Sequence, residues 1–315
     1  MINAQEATRY QELKKWAEDI PQLLPVHNRP EPGQIVEEVW SWRRNTIHLD
    51  RYVNLGSSHR LLLLHGVGGT GRLLSFIAAP LHRRGYDLIA PDLPGYGLTR
   101  MTESPVTYPH WVDMVSDLLA AEQATDHRPF VVFGLSAGGM LAYQIACRNK
   151  DIVGIIATNL LDQRHDEVRK YSAKSPWMAA LLPPLLKAFA MIAPKFTIPI
   201  SKLANMEAIV NDPKMHAALI DDPISCGNRV TMRSIYTLMN PEIIIEPEDF
   251  LQCPVLLVHP EKDLWTPLST SRVFFDRLSR ELRHLVILEN AGHFPLEQPG
   301  LRQLEEAILH FLEQL

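Results

Sequence analysis

Apolar and polar positions alternate in "QIVEEVW" (34–40) and "TIHLDRYV" (46–53), the period of strands with one face in water and one in the core. From residue 60 onward the pattern changes. "RLLLLH", "YDLIAP", "PFVVFG", "IVGIIAT", "PVLLVH" and "HLVILE" are nearly continuous apolar runs, as expected of parallel strands covered on both faces. Helical spacing fills the intervals at 71–84, 107–122, 137–149 and 266–280, and a last helix carries Leu301, Leu304, Ile308, Phe311 and Leu315 on one stripe. The expected fold is therefore α/β: a mostly parallel eight-stranded sheet with helices on both faces, entered through two antiparallel strands.

Two stretches stand outside this rhythm. Residues 163–248 hold no strong strand and many prolines; so long an interval predicts an inserted, mostly helical cap over the carboxyl ends of the strands, because a structureless loop of that length is implausible. The first 30 residues form an N-terminal helical extension, with Tyr10, Leu13, Trp16, Ala17 and Ile20 at helical spacing. The sheet domain is then assigned to 31–162 and 249–315.

Composition narrows the function. With 46% hydrophobic and 21% charged residues the chain reads as a globular protein. A net charge of -5 with no basic block gives nothing to hold nucleic acid. Cys147, Cys226 and Cys253 are odd in number and far apart, which suggests buried thiols and neither a zinc site nor a disulfide framework. The N-terminus lacks a basic start followed by an apolar run, and the most apolar window, "WMAALLPPLLKAFAMIAP", is cut by Pro183, Pro184 and Lys187. Neither a signal peptide nor a stable membrane span is expected, and cytoplasm is the expected location.

The chemistry gathers where strands end. Gly134-Leu135-Ser136-Ala137-Gly138 is G-x-S-x-G between a predicted strand and a predicted helix, the setting in which a sharp turn pushes a serine into the open. A serine hydroxyl needs a base, and the base an orienting partner. Asp263 in "HPEKDLWTP" and His293 in "ENAGHFPLEQP" follow the seventh and eighth strands in that order. His293 is assigned to take the proton of Ser136 and Asp263 to hold the imidazole. Taken singly, Asp263 would cap the next helix and His293 would be a loop residue; together with Ser136, at successive strand ends, the catalytic reading prevails. Asp162, after the sixth strand, is a rival acid with helix capping as its default role.

The loop "HGVGGTG" (65–71) satisfies G-x-G-x-x-G, with Asp87 and Asp92 about twenty residues on, and so raises a dinucleotide site. A nicotinamide enzyme would leave Ser136, Asp263 and His293 unexplained. Acyl transfer instead needs two backbone N–H groups for an oxyanion: Ala137, after the nucleophile, and Val67, in the glycine loop. In "APDLPGYGLT", Asp92 is read as turn chemistry. No metal and no organic cofactor is expected.

On "HGVGG", "PDLPGYG", "GLSAGG", "EKDLWTP" and "AGHFPLEQP", residues 35 to 315 resemble an α/β-hydrolase of the serine esterase and lipase type. With "DPKMHAALIDDPIS" in the inserted lobe, the chain looks most similar to the monoacylglycerol lipase and lysophospholipase branch. Gly69 and Thr70 stand where that family's loop often carries Glu and His. The resemblance implies the α/β-hydrolase fold and hydrolysis of a small-molecule carboxylic ester, with an apolar acyl group suited to the lobe segment Trp177 to Ile200. A C–C bond hydrolase or a peptidase would use the same triad. A nicotinamide oxidoreductase and a non-catalytic binding protein are the alternatives from other classes.

Overall fold

The computed structural model describes residues 8–174 and 186–315. Among them are ten strands in chain order: β1 (Val36–Trp42), β2 (Asn45–Tyr52), β3 (Arg60–Leu64), β4 (Asp87–Pro91), β5 (Phe130–Gly134), β6 (Ile152–Ala157), β7 (Thr197–Pro199), β8 (Arg229–Thr231), β9 (Val255–Pro260) and β10 (Arg283–Leu288). Eight form one sheet in the order β1-β2-β4-β3-β5-β6-β9-β10. β1 pairs antiparallel with β2 and β2 with β4, and every other pairing is parallel. This is the α/β-hydrolase fold.

Period-2 geometry explains why the middle strands are apolar throughout. Leu61 and Leu63 of β3 point to one face, among Phe76, Ile77 and Leu301; Leu62 and Leu64 point to the other, among Trp111, Val115 and Leu141. All four are fully buried. The helices Ser75–Arg83 and Gly300–Leu312 cover the first face, and Tyr108–Gln123, Ala137–Arg148 and Leu268–Phe275 the second. In the last helix Leu301, Leu304, Ile308 and Phe311 are buried as their spacing predicts, whereas Leu315 lies past the helix end and is exposed.

The structure departs from the sequence pattern in three places. β2 was expected to have a wet face, yet His48 and Asp50 on its polar positions are buried. Arg72 reaches Asp50 with two hydrogen bonds of 2.6 and 2.8 Å, and His48 Nε2 lies 2.9 Å from Glu37. Tyr10 closes the group, its ring edge-on to His48 and its hydroxyl donating to Asp92 at 2.9 Å. Burial alone would depress the His48 pKa, but the Asp92 and Glu37 carboxylates on either side outweigh it and hold the value up at about 10. Burial would raise Glu37; the His48 hydrogen bond and the Arg72 charge outweigh that and bring it to about 2. Glu37, His48 and Asp50 are spaced as metal ligands would be, and the Arg72 guanidinium already supplies the cation there.

The second departure is the N-terminal segment, which is no single helix. A 3-10 turn (Tyr10–Glu12), a π turn (Lys15–Asp19) and one α turn (Ile20–Leu23) succeed one another. Tyr10 and Trp16 are both buried, their ring centroids 5.0 Å apart, and Ala17 is left exposed. The third lies between β6 and β9. Besides the helices Asp166–Ser172, Pro213–Leu219 and Met232–Met239, that interval holds β7 and β8, a separate antiparallel pair. Among the described residues no strand of it joins the eight-stranded sheet. The part of the apolar segment at 177–185 lies outside the described residues.

Candidate active site

β5 runs into the helix Ala137–Arg148 through Ser136, which sits at φ +56° and ψ -123°. A side chain at a positive φ is strained, and the neighbours enforce it here. A Cβ on Gly138 would lie 2.2 Å from the carbonyl oxygen of Leu64, so only glycine lets the new helix start against β3. The Ser136 N–H donates to Thr158 Oγ1 at 2.9 Å, fixing the turn from the next strand over.

The structure brings Ser136, His293 and Asp263 together across 157 and 30 residues of chain. His293 Nε2 lies 2.9 Å from Ser136 Oγ, and His293 Nδ1 lies 2.8 Å from Asp263 Oδ2. All three side chains are buried or nearly so. Asp263 Oδ1 accepts the N–H groups of Trp265 and Thr266, each at 2.8 Å. Burial would raise this carboxyl's pKa; the His293 charge and hydrogen bond, with those two N–H groups, hold it well below the usual range. Asp263 thus makes the turn a capping residue would make and meets the histidine with its other oxygen. Asp162 is not part of this cluster: its buried carboxylate pairs with Arg164, which in turn holds Glu246.

The glycine loop passes directly over the serine. A Cβ on Gly66 would stand 2.8 Å from Ser136 Cβ and 3.2 Å from Ala137 N. His65 sets the loop's orientation. Leu93 N–H donates to His65 Nε2 at 2.9 Å, so the ring proton is on Nδ1 and goes to Gly66 O at 2.7 Å. Burial depresses the His65 pKa and keeps the ring neutral. Gly69 N–H holds the same carbonyl at 3.1 Å. In a planar trans peptide the C=O and N–H point opposite ways, so this clamp turns the Val67 N–H away from His65. Among the described residues neither Val67 N–H nor Ala137 N–H donates to a protein acceptor. Asp92 accepts the N–H groups of Gly71 and Leu98, as turn chemistry predicts, while Asp87 pairs with Arg128. Those two acids therefore serve the scaffold.

Sequence reasoning missed Thr158, Asn159 and Thr266. Thr158 Oγ1 donates to Asn159 Oδ1 at 3.0 Å; Asn159 Nδ2 faces Asp263 Oδ2 at 3.3 Å and Thr266 Oγ1 at 3.1 Å; Thr266 Oγ1 donates to Asp263 Oδ2 at 2.8 Å. A buried circuit of hydrogen bonds consequently leaves Ser136 by its backbone and returns to it through His293. The only signal in the sequence was position, since Thr158 and Asn159 close the sixth apolar run.

A chamber of about 100 Å³ opens beside Ser136, walled by Val67, Tyr108, Met140, Ile200, Ile235 and Trp265. A second space of about 110 Å³ adjoins it and shares the walls Val67, Tyr108, Ile200 and Ile235. A third, of about 30 Å³, is lined by both Ser136 and His293.

A mostly parallel sheet with helices on both faces, and a serine at a strained strand-to-helix turn within reach of a histidine, define the serine hydrolases of the α/β-hydrolase class. The family described as "Serine aminopeptidase, S33" (Hydrolase_4) matches residues 57–299, and the chain belongs to it. Its relatives include the monoacylglycerol lipase of Mycolicibacterium smegmatis, 25% identical over 245 residues covering 76% of this chain and 82% of that one. The magnesium-chelatase 30 kDa subunit of Rhodobacter capsulatus is 40% identical over 86 residues, 27% of this chain and only 29% of that protein. In structure, a soluble variant of monoglyceride lipase from Saccharomyces cerevisiae superposes with a TM-score of 0.72 at 19% identity, over 88% of this chain and 94% of that one. Among the described residues no helix is long and apolar enough to cross a membrane.

Proposed function

We propose that this protein hydrolyses carboxylic esters through an acyl-enzyme, with Ser136 as nucleophile, His293 as general base and acid, and Asp263 as the partner that orients the imidazole. The observation that carries the reading is the 2.9 Å contact of Ser136 Oγ with His293 Nε2 at the strained turn. Ser136 Oγ attacks the ester carbonyl as His293 Nε2 takes its proton; the carbonyl oxygen becomes an anion held by the N–H groups of Val67 and Ala137. Collapse breaks the bond to the alkoxy oxygen, which receives the proton from Nε2 and leaves as the alcohol. Water then attacks the acyl-Ser136 ester, giving its proton to Nε2, and the second collapse returns that proton to Ser136 and releases the carboxylic acid. No cofactor enters this scheme.

Residues 163–248 act in this reading as a cap. They supply Ile200, Leu203, Ile235, Leu238 and Met239 to the chamber wall, and an apolar acyl group suits such a lining. The family's description is of an aminopeptidase, which must meet a substrate ammonium. Among the described residues lining the chamber none is a carboxylate, and that favours an ester. Cys147, Cys226 and Cys253 are free thiols, which fits a reducing, cytoplasmic setting.

A panel of nitrophenyl esters of rising chain length, run on wild type and on Ser136→Ala, tests the proposal. Loss of the nucleophile lowers kcat by several orders of magnitude, about 10⁶ where the rest of the machinery is intact. Wild-type turnover by Ser136→Ala would remove the basis of the mechanism. A fluorophosphonate label mapped to the Ser136 peptide checks the nucleophile independently.

A further inference from the structure

The two sides of Ser136 differ in size and in chemistry. The 100 Å³ chamber is lined by Ser136 and Ala137 and not by His293, whereas the 30 Å³ cavity is lined by both Ser136 and His293. In ester cleavage the departing oxygen takes its proton from the imidazole, so the alcohol must lie on the His293 side. This assignment rests on the ester-hydrolase reading above. It puts the acyl group in the large cavity and the alcohol in the small one.

The small cavity has room for about two water-sized groups. Its side-chain walls are Leu73, Leu74, Ile209, Val210, Leu219 and Phe294. Apart from the reacting Ser136 and His293, the polar side chains nearby are already committed. Both His65 nitrogens are bonded, to Gly66 O and by Leu93 N–H. Ser225 Oγ donates to Gly68 O at 2.6 Å, and the Cys226 thiol leans on the same oxygen at 3.4 Å. Those two contacts hold residues 225–226 against the glycine loop, and Phe294 N–H ties to Ile209 O at 3.1 Å. A polyol entering here would strip its hydroxyls of water and find no free side chain beyond the reacting pair to bond them.

We propose that the natural ester joins a bulky apolar acyl group to a small apolar alcohol of methyl or ethyl size, and that glyceryl esters are poor substrates. The test holds the acid constant and varies the alcohol: methyl, ethyl, butyl and 1-glyceryl decanoate, with release of decanoic acid followed by titration. The expected kcat/KM is highest for methyl and ethyl, and lower by about tenfold or more for butyl and by about 10- to 100-fold for glyceryl. Leu219→Ala, and Ile209→Ala as a milder change nearer the surface, should each raise the butyl-to-methyl ratio at least about threefold by enlarging the cavity, without raising the glyceryl-to-methyl ratio. Glyceryl decanoate turned over as well as the methyl ester would overturn the inference while leaving the ester reading intact, and so would a butyl-to-methyl ratio unmoved in both variants. If no ester is cleaved and Ser136→Ala matches wild type on nitrophenyl esters, the ester reading itself has failed and this inference with it.

Discussion

Asp263→Asn changes one atom's polarity at the point where three donors meet. Oδ2 faces His293 Nδ1, Thr266 Oγ1 and Asn159 Nδ2, and Oδ1 faces the backbone N–H groups of Trp265 and Thr266. An asparagine can satisfy only one of these sets with its carbonyl. If the amide group faces His293, the ring is driven to carry its proton on Nε2, where it can no longer accept the proton of Ser136. If the amide flips, two buried backbone donors lose their acceptor at about 1–3 kcal/mol each, about 2–6 kcal/mol in total. The tautomer effect sets the catalytic magnitude: a loss of about 10⁴ in kcat, equivalent to about 5 kcal/mol in the barrier. Steady-state kinetics on a nitrophenyl ester, with a urea unfolding curve on the same sample, measures both. Asp162→Asn is the matched control, because its carboxylate is bound to Arg164 and stands apart from His293; its kcat should stay within about threefold of wild type. A loss under tenfold at Asp263, or a larger one at Asp162, would refute the reasoning.

Three further outcomes follow from the same geometry. His65→Ala frees the Gly66 carbonyl and lets the Val67 N–H drift, so kcat should fall by about 10²-fold with KM changed less than about threefold; equal changes in both would point to a binding role instead. Asn159→Ala should cost about tenfold in kcat, and Asn159→Asp, which sets a second carboxylate beside Asp263 and its histidine, should move the acid limb of the pH–rate profile upward; an unmoved limb rules out a positioning role. Stability should depend on pH through the buried group under Tyr10. His48, raised to about 10, stabilises the fold fully below about pH 6.5 and loses that contribution as pH climbs through 10; Glu37, lowered to about 2, contributes above about pH 4.5 and loses it as pH falls through 2. Urea midpoints from pH 7 to 10.5 should therefore decline more steeply for wild type than for His48→Gln, and parallel curves would contradict the ion-pair assignment.

Most of the sheet was readable because its inner strands carry their own local signal. Leu61–Leu64 are apolar at every position since both faces are covered, whereas β1, an edge strand, is exposed on both faces at Val36, Glu38, Val39 and Ser41, so its alternation does not sort a wet face from a dry one. β2 misled because its polar positions are covered by Tyr10, Glu37 and Arg72, residues remote in sequence whose approach leaves no mark on the period of the strand itself. β7 and β8 are three residues each, too short for any period to register. Around the serine, Ser136, Asp263 and His293 are legible because a strained turn and strand ends restrict where they can stand. Asn159 and Thr266 are ordinary loop residues whose use depends wholly on which loops converge. The Gly66 clamp was half legible: the glycines announce close backbone approach, but the tautomer of His65 is decided by Leu93, on another loop.

The broken N-terminal segment touches both halves of the molecule. Tyr10 is bonded to Asp92 beside the sheet, Lys15 to Asp222 at 2.9 Å, and Ile20 and Leu24 share a core with Met215 and Leu219. The segment thus waits for residues some two hundred positions further along the chain before it can dock fully. Denaturant or heat should release it ahead of the sheet, loosening the roof above the serine, so that enzymatic rate fades at milder conditions than those that erase the circular dichroism of the strands and helices.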